Sequence, residues 1–107
     1  MKVTKCLMAV YGDVSEEKLL ELLNGCEDLK LWAYAVNDFK KHLPNVHAFL
    51  DFGKTKYTTG KIEQLFKDNG FNRCFVEVVV YREDDVIGFL SSLGHDTRCM
   101  VANFKFK

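Results

Sequence analysis

The sequence predicts an α+β domain built on an antiparallel sheet, and three observations carry that prediction. Four stretches alternate apolar and polar residues or are dense in β-branched side chains, as strands are. Two stretches between them set leucine or isoleucine at helical spacing behind a hydroxyl residue suited to an N-cap. The six occur in the order β-α-β-β-α-β.

In chain order, Val3 to Tyr11 is a β-like run ending at Gly12, where a missing side chain suits a turn. Ser15 precedes Glu16, Glu17 and Lys18, an N-cap with acids in the first turn. Leu19, Leu20, Leu22 and Leu23 then form an apolar stripe that stops near Asn24 and Gly25. Leu29 to Val36 reads as a second strand, with Leu31, Ala33 and Ala35 on one side and Trp32, Tyr34 and Val36 on the other. Asn37 to Leu43 is a polar, lysine-bearing connection.

Pro44 to Phe52 is the central strand. Val46, Ala48, Leu50 and Phe52 point to one face, for the core, while Asn45, His47, Phe49 and Asp51 make a polar and aromatic second face that could meet a ligand. Gly53 to Gly60 is a basic loop, and Thr58 or Thr59 caps a helix carrying Ile62, Leu65 and Phe66 that ends at Asn69 and Gly70. Cys74 to Tyr81 is a β-branched fourth strand. This is the split βαβ arrangement of ferredoxin-like domains. Beyond it, residues 82–94 predict an extra helix and Cys99 to Phe106 a fifth, edge strand.

The 107 residues, 48% hydrophobic and 28% charged, predict one globular domain over 1–107. No apolar run approaches the roughly 20 residues of a membrane span, and the first residues hold too short an apolar segment for a secretory signal. An intracellular setting, the cytoplasm or nucleus of a host cell, is expected. Cys6, Cys26, Cys74 and Cys99 show no Cys-x-x-Cys spacing, so they read as free thiols rather than a metal knuckle. A net charge of zero hides an uneven distribution. From Lys40 to Arg73 there are seven cations against Asp51, Glu63 and Asp68, whereas residues 1–39 hold seven acids against four lysines. A local basic field of this kind attracts polyanions.

Several short motifs match a known family. Asn45-Val46-His47-Ala48-Phe49-Leu50-Asp51-Phe52, then Gly53-Lys54-Thr55-Lys56, then Asp85-Val86-Ile87-Gly88-Phe89-Leu90-Ser91-Ser92-Leu93-Gly94 occur in the order and spacing of three motifs. Together they resemble the N-terminal nicking domain of rolling-circle replication initiators from geminiviruses, circoviruses and related replicons, the HUH endonucleases. That resemblance covers almost the whole chain. It implies binding of nucleic acid, DNA rather than RNA, and a viral or plasmid setting.

The departures from the family are chemical. Nicking needs a tyrosine nucleophile and a divalent cation held by two histidines and an acid. In the alignment the nucleophile's position is Phe89, the companion lysine's is Ser92, the first histidine's is Asn45, and the acid's is Asn37, with Asp38 adjacent. Only His47 remains. The resemblance therefore implies a scaffold that has kept binding and lost nicking, with no catalytic residue, metal or cofactor. The residues expected to meet nucleic acid are Lys40, Lys41, His47, Lys54, Lys56, Tyr57 and Lys61. Trp32, Tyr34, His47 and Phe49 are expected either to merge into one stacking surface or to be core.

Two alternatives stay open. His47 to Phe52 also resembles part of the strand-three octapeptide of RNA recognition motifs, and Gly12 to Leu19 the start of their first helix, although Asn45 and Val46 replace the basic residue and glycine. A protein-interaction or dimerising module using the edge strand is the other. A small enzyme has least support: no Gly-rich phosphate loop or paired-histidine motif occurs, and His95-Asp96 is a common loop pair.

Overall fold

The computed structural model describes residues 2–12, 14–36, 46–79, 86, 88 and 100–104. Its elements are β1 (Lys2–Val3), β2 (Lys5–Val10), α1 (Glu16–Gly25), β3 (Leu31–Val36), β4 (Val46–Asp51), β5 (Tyr57–Thr58), α2 (Thr59–Asp68), β6 (Cys74–Val78) and β7 (Val101–Ala102). The five-stranded sheet has the order β6-β2-β4-β3-β7, and each neighbouring pair is antiparallel. Strands β2 and β4 are central, α1 and α2 are the two crossovers, and the split βαβ arrangement is met. β7 adds the edge strand beside β3, within the stretch Cys99 to Phe106.

Both helices begin where their caps predict. Ser15 Oγ accepts from the Lys18 amide and Thr58 Oγ1 from the Lys61 amide, each satisfying a donor that the first helical turn leaves without a partner. Leu19, Leu22 and Leu23 of α1 and Ile62 and Phe66 of α2 lie on one sheet face, against Cys6, Met8, Val10, Trp32, Tyr34, Ala48 and Leu50. That face is the main core. Past α2, Gly70 takes a φ of 93°, the left-handed turn that ends a helix and favours glycine.

The other face is also covered. Leu7, Ala33, Ala35, Phe49 and Val86 form a second buried cluster, with Leu31, Met100, Ala102 and Phe104 packed on it. Val86 and Gly88 are helical, and Val86 is fully buried. The rest of the extra helix predicted over 82–94 lies outside the described residues, as do Lys40, Lys41, Asn45, Phe89 and His95.

Three boundaries differ from expectation, the first being β7, which covers only Val101–Ala102 of the expected strand, with Met100, Asn103 and Phe104 outside it. The first strand is split at Thr4: Val3 pairs with Tyr57 while Lys5 pairs with Asp51, so one run serves two sheets. The basic loop contains β5, which with β1 forms that second, two-stranded sheet.

Candidate nucleic-acid interface

The central strand positions everything that follows. β4 enters at Val46, pairs with β2 and β3 along its length, and leaves at Asp51. Asp51 is buried, and its carboxylate accepts the amide of Gly53 at 2.8 Å, while its carbonyl accepts that of Lys30 at 2.8 Å. Gly53 has a φ of 66°, and a Cβ there would lie 3.0 Å from Cγ of Lys30. The chain therefore turns sharply at the end of β4. Lys54 and Lys56 stand exposed in the turn, and Lys61 stands exposed in the first residues of α2.

Tyr57 lies between these lysines on β5. The ring meets Phe52 edge-on at 4.9 Å between centroids, and the Lys61 ammonium sits 5.1 Å from its centroid. Its hydroxyl donates to the Asp28 carboxylate, which pushes the phenol up to about 12. The first turn of α2 carries no acid, so the partial positive charge of the helix N-terminus adds to that of the lysines. Lys2 and Lys30 are exposed and adjoin the same edge, Lys2 through its pairing with Thr58 and Lys30 through Gly53. Beside Tyr57 a cavity of about 280 Å³ runs toward the end of α1, lined by Cys26, Phe52, Tyr57, Lys61, Ile62, Gln64, Leu65 and Asp68.

The structure thus brings Lys54, Lys56, Tyr57 and Lys61 together and separates them from His47. His47 is 3% exposed, on the second face of β4, opposite Ala9 and Ala35. Lys40 and Lys41 fall outside the described residues. Their connection leaves from Val36 and returns at Val46, which pair with each other at the opposite end of the sheet. β4 separates the two ends by about 17 Å at roughly 3.4 Å per residue.

Of the two arrangements expected for the aromatics, the second holds: they are core and do not merge into one surface. Trp32 and Tyr34 are 5% and 1% exposed beneath the helices and stack on each other, whereas Phe49 is 0% exposed on the opposite face, against Phe104. The register settles this: Trp32 opposes Leu50 and Tyr34 opposes Ala48, while Ala33 opposes Phe49. The Tyr34 hydroxyl donates to Glu16 at the start of α1, tying the sheet to that helix.

One cluster was not anticipated. Phe75 on β6 is 50% exposed and meets Tyr11 edge-on at 6.0 Å, and the Arg73 guanidinium lies 5.4 Å from the Tyr11 ring centroid. Arg73 counted in the basic segment, but only the backbone bond from the Tyr11 amide to the Arg73 carbonyl, between residues far apart in sequence, reveals the pairing. Among the described residues no group of three His, Cys, Asp or Glu side chains is placed to hold a metal ion, and no helix is long and apolar enough to cross a membrane. Comparison with family models, with curated proteins and with solved structures gives no match.

Proposed function

We propose that the chain is a nucleic-acid-binding domain, DNA being the preferred partner, on an initiator-like scaffold without nicking chemistry. Its contact with the phosphate backbone is the edge formed by Lys54, Lys56, Tyr57 and Lys61. The observation that supports this reading is the Lys61 ammonium over the Tyr57 ring at the N-terminus of α2, with Lys54 and Lys56 exposed in the turn just before that ring. Lys40 and Lys41 belong to the proposed basic set by their sequence alone. An intracellular setting, in the cytoplasm or nucleus of a host cell, goes with this function, and a homo-oligomer is compatible with it.

A sheet-face mode of the RNA-recognition kind has less to stand on, because Phe49 is enclosed and His47 buried on the face that would have to meet bases. The dimerising alternative has an edge strand of two residues to work with.

Single-stranded DNA, duplex DNA, hairpin DNA and RNA, each titrated across a salt series, test the proposal. Affinity falls with added salt as counterions are released. Changing Lys54, Lys56 and Lys61 together to alanine weakens binding to every sequence. The same change makes the log–log salt slope shallower by about 2 to 3, the value for three lost phosphate contacts. Unchanged affinity would assign this edge to solvated surface. Incubation with an origin-like hairpin and manganese gives neither a nicked product nor a covalent adduct, because Phe89 has no hydroxyl. An adduct mapped to Tyr11, Tyr34, Tyr57 or Tyr81 would overturn the family alignment.

A further inference from the structure

We infer that the cavity beside Tyr57 holds one unstacked base of a single-stranded nucleic acid, an inference that rests on the function proposed above. A nucleotide has a flat ring with apolar faces, hydrogen-bonding edges and an anionic phosphate, and the site offers a partner for each part. Phe52 and Leu65 give an apolar lining and Tyr57 an aromatic one. Gln64 and Asp68 line the same space, the Gln64 amide donating to the Asp68 carboxylate at 2.8 Å. That bond uses one of the two amide N–H groups and one carboxylate oxygen, so a second N–H, the Gln64 carbonyl and the other Asp68 oxygen retain capacity for a base edge. The Lys61 ammonium, over the Tyr57 ring and lining the cavity, is placed for the phosphate, and Lys54 and Lys56 stand exposed in the turn that precedes Tyr57.

The volume, about 280 Å³, lies just below the roughly 300 Å³ at which drug-sized ligand pockets begin, in keeping with a single base rather than a larger ligand. Other occupants match only part of it. An acyl chain leaves Gln64, Asp68 and Lys61 without partners, and free phosphate leaves the apolar walls wet. Bases in a duplex are stacked and paired, so only a single strand delivers one to the cavity without a melting penalty.

The test uses the full chain with a short single-stranded DNA of mixed sequence and the duplex of the same sequence. Leu65→Trp fills the cavity from α2 without altering any charge. It lowers single-strand affinity by about 5- to 160-fold, the loss of one base contact, with the salt slope and duplex affinity unchanged. Gln64→Leu, at an exposed position, lowers single-strand affinity in the same direction and serves if the tryptophan variant does not fold. Cys26 lines the same cavity, so single-stranded DNA slows its alkylation, located by mass spectrometry, and the duplex does not. Wild-type protein that binds single strands while Leu65→Trp and Gln64→Leu bind them equally well, or while Cys26 alkylates at an unchanged rate, overturns the inference and leaves the proposed function standing. Wild-type protein that binds no nucleic acid overturns both.

Discussion

The Tyr34 hydroxyl sits where the sheet meets α1, donating to Glu16 Oε2 at 2.9 Å. Burial first, then that hydrogen bond and the Glu16 charge, push the phenol up to about 12 from its ordinary 10. Above pH 10 the unfolded chain ionises this tyrosine while the folded chain keeps it neutral, so the stability it contributes is intact below pH 10 and is lost between about pH 10 and 12. Tyr34→Phe lowers stability by about 1 kcal/mol at neutral pH in urea denaturation and makes the alkaline loss shallower. Cys6 behaves in parallel. Burial, with Glu63 nearby, pushes its thiol up to about 12, whereas Cys26 is half-buried at the cavity. At pH 8 iodoacetamide therefore modifies Cys26 and leaves Cys6 intact until urea is added, as peptide mass mapping will show. Equal labelling of both in the folded protein would mean that the core around Cys6 opens readily.

At the scale of elements, the helices were the most legible part of the sequence. Ser15 and Thr58, each followed by an apolar stripe at helical spacing, marked both starts, and Asn69-Gly70 marked the second end. Alternation in β3 and β4 also assigned the faces correctly. What it could not assign was which side of β3 lay beside which side of β4, because that depends on register, set by a connection whose length does not fix it. The split at Thr4 and the two-residue β5 were illegible for a related reason: both exist only through the pairing of Lys2 and Val3 with Thr58 and Tyr57. Of the candidate site, the lysines were visible as composition, but the approach of Lys61 to the Tyr57 ring depends on the path of the chain from the turn at Gly53 into α2. Gly53→Ala costs about 1–2 kcal/mol, since an L-residue is unfavourable in the left-handed region and its Cβ would press on Lys30. Asn103 is a second case. Its side chain accepts the Trp32 amide at 2.8 Å and donates to the Lys30 carbonyl at 3.2 Å, while its own amide donates to the Trp32 carbonyl, closing the outer edge of β3. Asn103→Ala costs about 1–2 kcal/mol in urea denaturation and speeds hydrogen exchange at the Trp32 amide, and an unchanged exchange rate would show that β7 alone protects it.

For the molecule as a whole, the decisive feature is a sheet whose central strands are covered on both faces, the second face opening at the edge strand β6, where Phe75 is half exposed. One face is closed by α1 and α2 and the other by Val86 with the 100–104 segment, so a ligand that leaves this packing intact must use the ends and edges of the sheet. Fold and candidate site are joined there: Asp51 ends the central strand, Gly53 turns the chain, and the lysines follow. His47 tests that division, since it is the residue a metal- or base-binding sheet face would need and it lies buried between Ala9 and Ala35. His47→Gln, compared with wild type under conditions where circular dichroism shows both folded, lowers stability because a buried polar group is exchanged for one of different shape. The affinity of the folded variant for single-stranded and duplex DNA stays within about twofold of wild type, while the triple alanine variant of Lys54, Lys56 and Lys61 loses both, as each retained lysine supplies its own counterion-release contribution. A tenfold or greater loss from His47→Gln alone would mean that the 100–104 segment lifts away to admit the ligand, and the binding surface would then have to be drawn across the second face of the sheet.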